Sequence, residues 1–444
     1  MNFLDWLKPG IRIKRWILMG MFGLSVFILG ISKFLFRGPI WDFYTLLYIY
    51  LTILGIITIY ASLKQGFSNV LSLVAGSSSN KDIDKGKIAN LLYEQRLLIR
   101  GPNIVAIGGG TGLSTMLRGL KEYTTNITAI VTVADDGGGS GVLRGTLGML
   151  PPGDIRNCLV ALAHTEPVME ELMQYRFKEG NLKGQSFGNL FIAAMNGIST
   201  NFEEAIKKMS DVLAVKGKVY PVTIEDVKLC AQLSDGSIVK GESSLPEECI
   251  NRVQKVEHVY LEPDNPKPLE DALFAIDNAD CIIIGPGSLY TSILPNLVIK
   301  EVNERIKNSR AIKVYVSNIM TQPGETDGFM LSDHIKAIEK HCGAGIMDFV
   351  IANEGEIPEP YFEKYKNDKQ DIVKIDRENI PDRIEIIHDN FVKINDIGLL
   401  RHNTDRLSQV IMKLILRYVF PKNKRRILDY YYLSEKVKSR QKEV

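Results

Sequence analysis

The sequence predicts an α/β protein: a mostly parallel, doubly wound, Rossmann-like sheet with a helical segment and a β-hairpin insertion, preceded by a two-helix transmembrane hairpin. Three observations carry this reading. Two long uncharged stretches open the chain. Further on, short β-branched runs break into glycine loops that lead into helical periodicity, the pattern of a parallel α/β sheet. Between those units lies a segment of different texture, first helical and then alternating.

The uncharged stretches span residues 16–32, between Arg15 and Lys33, and 43–63, between Asp42 and Lys64. At about 17 and 21 residues they match the roughly 17–25 helical residues needed to cross a bilayer core. A second apolar span close behind the first, and no small-x-small site after Ser32, argue against a cleaved signal peptide. Lys8, Arg12, Lys14 and Arg15 precede the first span, whereas the turn between spans holds only Lys33 and Arg37; Lys64, Lys81, Lys85 and Lys87 follow the second. The positive-inside rule therefore puts both termini and the main domain on the cytoplasmic side of the cell membrane. Trp16, Trp41, Tyr44 and Tyr60 lie near the span ends, where aromatic belts form. Residues 64–102 read as a cytoplasmic tether, Ser/Gly-rich at 76–80 and helix-like at 88–98.

Composition excludes several classes. With 45% apolar and 24% charged residues the chain is neither disordered nor low-complexity. The net charge of +2 hides twelve Lys/Arg against five Asp/Glu in the first hundred residues, and 42 against 47 thereafter. No concentrated basic face is offered to a nucleic acid outside the chain ends. Cys158, Cys230, Cys249, Cys281 and Cys342 have no C-x-x-C spacing and read as buried thiols in a reducing compartment. The six histidines form no H-E-x-x-H, which disfavours zinc chemistry.

Residues 103–419 carry the chemistry. A run β-branched at Ile104, Val105 and Ile107 stops at Gly108-Gly-Gly-Thr-Gly-Leu-Ser114, and a helical period follows through Leu113, Met116, Leu117 and Leu120. Strand, glycine loop and helix aim backbone N–H groups and a helix N-terminus at a phosphate. The spacing is neither G-x-G-x-x-G nor G-x-x-x-x-G-K-[ST], so neither a dinucleotide fingerprint nor a P-loop ATPase is indicated. Taken alone, the loop also fits a tight turn. A second strand, residues 127–133, ends in Ala134-Asp-Asp-Gly-Gly-Gly-Ser-Gly141. There Asp135 and Asp136 suit ribose hydroxyls or a Mg²⁺ held by one or two carboxylates and water, or one of them caps the turn.

Residues 151–260 read as the insertion. Pro151-Pro-Gly-Asp-Ile-Arg-Asn157 opens a helical stretch to about Met209, and residues 219–260 alternate around the turn Ser234-Asp-Gly-Ser237 as antiparallel hairpins. Asp280-Cys-Ile-Ile-Ile-Gly-Pro-Gly-Ser-Leu-Tyr-Thr291 then repeats the strand-to-glycine transition, with Ser288 suited to cap a following helix over a second anion site. Strands at 312–316, 348–352 and 384–387 complete the alternation.

Together, Gly108-Gly-Gly-Thr-Gly-Leu-Ser114, Thr132-Val-Ala-Asp-Asp-Gly-Gly138, Leu150-Pro-Pro-Gly-Asp-Ile-Arg-Asn-Cys158, Ser186-Phe-Gly-Asn-Leu190, Gly285-Pro-Gly-Ser-Leu-Tyr-Thr-Ser292 and Met320-Thr-Gln-Pro-Gly-Glu-Thr-Asp-Gly328 resemble the YvcK proteins, the so-called gluconeogenesis factors. This resemblance covers about residues 100–415 in order. The family shares its fold with the 2-phospho-L-lactate transferases (CofD). It implies a regulator with no established reaction and no catalytic residues, which binds UDP-N-acetylglucosamine, requires no cofactor and supports cell shape and wall synthesis under gluconeogenic growth. The alternative it leaves open is a Mg²⁺-dependent transferase acting on a phospho-substrate. A nicotinamide-dependent dehydrogenase is disfavoured by the loop spacing.

Carried over by motif, Gly109, Gly110, Thr111 and Gly112 are the first phosphate-loop residues. Asp135 and Asp136 match the acidic pair beside metal and substrate, with Asp136 as the metal ligand. Ser140, Asn189, Gly285, Gly287, Ser288, Tyr290 and Asn318 line the expected groove. Arg401 in Arg401-His-Asn-Thr404 is the expected partner of the pyrophosphate, suited to it by its planar donors, or else a solvated charge. Thr404 is a kinase target or the N-cap of a helix over 405–419. Gly137-Gly-Gly-Ser140 departs from the Gly-Gly-Ser-Ser of relatives. Many relatives lack the N-terminal hairpin, so this copy is expected at the membrane, as a homo-oligomer working with wall-synthesis or regulatory proteins. The basic tail 420–444, with Lys422, Lys424, Arg425 and Arg426, is expected either to touch anionic lipid or to be solvated.

Overall fold

A computed structural model describes residues 14–36, 43–74, 85–395 and 398–442. The chain divides into two compact units, Met1–Gln95 and Arg96–Val444. The turn residues Arg37 and Trp41, the basic residues Lys8, Arg12 and Lys81, and the Ser/Gly-rich tether at 76–80 lie outside the described residues.

The first unit holds two apolar helices, Lys14–Phe36 and Phe43–Val74, within which Arg15–Ser32 and Tyr44–Gly66 are long and apolar enough to cross a membrane. They pack through glycines where a side chain would not fit. A Cβ on Gly30 would lie 2.5 Å from the Thr52 nitrogen, and one on Gly55 would lie 2.6 Å from the Phe27 nitrogen. The Ser62 hydroxyl donates to the Trp16 carbonyl, and Thr52 donates within its own helix to the Tyr48 carbonyl. Small residues in such a seam let two helix backbones approach closely. Leu18, Phe22, Leu29, Tyr50 and Ile57 on the other faces are exposed.

The second unit is organised by a seven-stranded sheet whose pairings are all parallel. Its strands are β1 (Ile104–Gly108), β2 (Ile127–Val131) and β3 (Lys218–Pro221), then, after a small sheet of β4 (Lys228–Leu233), β5 (Ile238–Lys240) and β6 (Val256–Glu262), β7 (Cys281–Ile284), β8 (Ile312–Val316), β9 (Phe349–Asn353) and β10 (Glu385–Asp389). The order is β10-β9-β8-β7-β1-β2-β3. From β1 the chain runs outward one way to β3, then returns to the other side of β1 and runs outward through β10. The boundary between β1 and β7 is therefore the topological switch point, outside whose carboxyl ends such sheets bind ligands. Every residue of β1, β7 and β9 is buried, as expected where helices cover both faces.

One strand differs from the sequence reading. Residues 219 onward were expected in antiparallel hairpins, but Lys218–Pro221 is the edge strand of the main parallel sheet. An edge strand alternates buried and open residues just as a hairpin strand does, so periodicity does not separate them. The antiparallel insertion is β4–β6, in the order β5-β4-β6. Five helices between Gly138 and Val212 fill the crossover from β2 to β3.

After β10, a hairpin of β11 (Val392–Ile394) and β12 (Leu400–His402) leads into helix Thr404–Tyr418. That helix packs tightly on helix Gly110–Leu120: a Cβ on Gly119 would lie 2.6 Å from the Thr404 carbonyl oxygen. The C-terminal segment is not a loose tail. It forms helix Lys424–Lys442, which buries Tyr430, Leu433 and Val437 and stacks Tyr430 on Tyr123 with ring centroids 5.7 Å apart. Its lysines and arginines concealed this apolar stripe. All five cysteines are buried and unpaired.

Candidate functional site

The two glycine turns at the switch point touch each other. A Cβ on Gly112 would lie 2.8 Å from the Pro286 carbonyl oxygen, and one on Gly287 would lie 3.2 Å from the Gly109 carbonyl oxygen. Gly285 and Gly110 adopt φ of +80° and +70°, which side chains disfavour. Between the turns opens a chamber of about 220 Å³, lined by Gly110, Thr111 and Gly112 after β1, Gly287 and Ser288 after β7, Asn318 and Gln322 after β8, and Arg401 and His402 of β12. The first backbone N–H groups of an α-helix have no partner inside the helix, and the first three residues of helix Gly110–Leu120 lie on this chamber wall.

Opposite the loop, a polar chain fixes the wall. Gln322 Nε2 donates to Ser288 Oγ (2.7 Å), and Asn318 Nδ2 donates to Gln322 Oε1 (3.2 Å). Tyr365 accepts the Leu400 N–H on its hydroxyl (2.8 Å) and so holds β12 at the chamber rim. Arg401 Nη1 donates to the Leu400 carbonyl (2.9 Å), which leaves the rest of its guanidinium for the cavity.

A second chamber of about 470 Å³ shares Thr111, Thr115, Arg401 and His402 with the first and is also lined by Arg118, Arg156, Lys393 and Thr404. The two form one groove that is cationic at its far end. Arg118 is paired with Glu170. Arg156 donates to Ser186 Oγ, to Asn189 Oδ1 (2.8 Å) and to Asn157 Oδ1 (2.8 Å). Asn189 is thus buried as the support of Arg156. Thr404 is half-buried on this wall and does not cap the helix; the N-cap is Asn403, which accepts the Arg406 N–H (3.1 Å).

A third feature lies behind the glycine loop. Asp154 accepts the Gly110 N–H, and Gly109 is glycine because a Cβ there would lie 2.5 Å from Asp154 Oδ2. Asp135 Oδ1 accepts the Gly137 N–H (2.9 Å), and Asp136 Oδ1 accepts the Ser243 N–H (2.9 Å), which ties the second β-strand's loop to the antiparallel insertion. Ser140 is buried against Gly153. Glu242 of the insertion joins the cluster. Burial, reinforced by Asp135, Glu325, Asp154 and Asp136, pushes its carboxyl up to about 8. Burial raises Asp154 to about 6 against the Gly110 hydrogen bond, which lowers it. Among the described residues, no three Asp, Glu, His or Cys side chains converge closely enough to enclose a metal.

The turn after β7 differs from expectation. Ser288 makes no capping hydrogen bond, and the N–H of Tyr290 (3.3 Å) and the hydroxyl of Thr291 (3.2 Å) instead donate to buried Glu325. Burial raises Glu325 to about 7, and these donors oppose the rise. Tyr290 points away from the groove, toward Phe329 and His341. The structure therefore brings Gly110, Thr111, Gly112, Gly287, Ser288, Asn318 and Arg401 together, sets Gly109, Asp135, Asp136 and Ser140 behind the loop, and leaves Tyr290 elsewhere. Sequence reasoning missed Asp154, Gln322 and Glu325, though each sits within a motif singled out above. It also missed Tyr365, Arg118 and Glu242, which carried no local signal.

A family model described as 2-phospho-L-lactate transferase CofD matches residues 104–392. A chain of Clostridium acetobutylicum named "Putative gluconeogenesis factor" is 50% identical over 445 residues, covering 100% of this chain and 98% of that one. The "Gluconeogenesis factor" of Bacillus subtilis is 46% identical over 317 residues, covering 71% of this chain and 98% of that one. The crystal structure of a UPF0052-family protein from Bacillus halodurans superimposes with a TM-score of 0.67 at 47% identity, covering 70% of this chain and 99% of that one. The N-terminal helices are thus part of the match to the clostridial relative. The chain belongs to the CofD family, in the branch of the gluconeogenesis factors also known as YvcK or UPF0052 proteins.

Proposed function

We propose that this protein is a membrane-anchored, cytoplasm-facing regulator that binds UDP-N-acetylglucosamine and supports cell shape and wall synthesis during gluconeogenic growth. The observation that carries the reading is the two-chambered groove, with a glycine-opened helix N-terminus at one end and arginines at the other. An elongated dianionic ligand suits that layout: helix N–H groups and Arg401 take the pyrophosphate, and the remaining rings extend into the two chambers. No metal is needed for such binding. The names of the relatives support the metabolic setting. Output passes to wall-synthesis or regulatory proteins through a homo-oligomer, and Thr404, on the wall of the second chamber, is the modification site. The anchor is the N-terminal helix pair. Removal of residues 1–74 is expected to move the chain from the membrane to the soluble fraction, and retention at the membrane would exclude that role.

The cluster of Asp135, Asp136, Asp154 and Glu242 beside the loop favours a second reading, a Mg²⁺-dependent transferase acting on a phospho-substrate. Asp136→Asn separates the two. A regulator keeps its affinity for UDP-N-acetylglucosamine and shows no turnover before or after the change. A transferase shows Mg²⁺-dependent product formation that the variant loses.

A further inference from the structure

His402 stands where the two chambers meet and lines both. Its Nε2 lies 3.1 Å from the Ser317 carbonyl oxygen. A carbonyl only accepts, so Nε2 carries the hydrogen, and a neutral ring then has a bare lone pair on Nδ1. Burial keeps the ring neutral by lowering it to about 4, although the Ser317 bond acts the other way. Among the described residues Nδ1 has no hydrogen-bond partner, and it is not sealed in the interior. A fixed, neutral acceptor thus sits on a residue that borders a groove whose charged side chains include Arg401 and Lys393, both donors.

We propose that His402 reads the ligand: its Nδ1 accepts a hydrogen bond from an O–H or N–H on the ring flanking the diphosphate, either the hexosamine or the ribose. The assignment rests on the nucleotide-sugar reading of the groove. Its position supports the choice of flanking ring, because Thr111 of the phosphate loop borders the same junction. A half-buried acceptor left unpaired penalises any ligand lacking the donor, so His402 selects against free pyrophosphate, which a cationic groove alone would accept.

The test uses the full chain in lipid nanodiscs, labelled with ¹⁵N-histidine. UDP-N-acetylglucosamine is expected to move the His402 Nδ1 resonance upfield, toward a hydrogen-bonded acceptor, whereas inorganic pyrophosphate leaves it in place. If UDP alone reproduces the shift, the donor is on the ribose; if only the full nucleotide sugar does so, the donor is on the hexosamine. His402→Asn, whose amide oxygen sits near the Nδ1 position, should bind nearly as well as the parent. His402→Gln, which keeps only the donor to Ser317, should bind about tenfold more weakly. Saturable binding with Nδ1 unmoved overturns the assignment and leaves the groove reading intact. No saturable response to the nucleotide sugar in any histidine signal or by calorimetry overturns both.

Discussion

Asp154 closes the N-terminus of helix Gly110–Leu120 from behind, its carboxylate accepting the Gly110 N–H while the next residues, Thr111 and Gly112, line the groove. A side-chain anion thus takes one donor of a helix N-terminus, and the rest are held for an outside anion. This contact sets the orientation of the loop.

Gly109→Ala tests that contact by steric force alone, because Gly109 is extended (φ −171°) and alanine adopts that backbone freely. The added methyl would lie 2.5 Å from Asp154 Oδ2 and 2.9 Å from Thr132 Cγ2. Overpacking of this kind costs about 1–3 kcal/mol, and displacement of the loop weakens ligand binding with it. Chemical denaturation reads the first effect and calorimetry the second; an unchanged midpoint and affinity would mean that Asp154 does not position the loop.

Glu242→Gln gives a pH signature. The carboxyl rises in the fold from its usual value near 4.5 to about 8, so between those values the folded chain binds more protons than the unfolded chain. Stability therefore falls as pH rises through that window, and the neutral amide removes this contribution. The variant should melt like the parent at pH 4.5 and several degrees higher at pH 9. Parallel melting curves across the range would contradict the buried, repelled carboxylate.

Tyr430→Ala removes the ring that stacks on Tyr123 and is 5% exposed. Large-to-small changes of this kind cost about 3 kcal/mol. A loss well under 1 kcal/mol in denaturant titration would return helix Lys424–Lys442 to the status of a solvated tail.

Much of this was legible in the sequence because glycine and β-branched runs constrain the backbone locally. The loop after Gly108 and the Gly285-Pro-Gly287 turn border the chamber at the carboxyl ends of β1 and β7, whereas the aspartate pair after β2 is engaged by the Gly137 and Ser243 N–H groups behind the loop. What was not legible depends on partners distant in the chain. Ser288 looks like a cap, yet its hydroxyl serves Gln322, and Glu325 takes the N–H groups of the turn. Tyr365 enters the site only because β12 folds back beneath its hydroxyl. Glu242 reaches the carboxylates through an insertion whose docking no local pattern encodes. The C-terminal helix hid its buried stripe of Tyr430, Leu433 and Val437 among charges, and its exposed Leu428 and Tyr431 blur the pattern further.

In the proposed function the groove binds a nucleotide sugar through Arg401 and leaves it chemically unchanged. Its most direct test is calorimetric titration of the full chain in nanodiscs with UDP-N-acetylglucosamine, with and without Mg²⁺, beside Arg401→Ala, while NMR follows the ligand. A regulator should show saturable binding independent of Mg²⁺, an unaltered ligand, and a loss of about 1.5–3 kcal/mol in the variant. Equal affinity in the variant, or Mg²⁺-dependent conversion of the ligand, would contradict it.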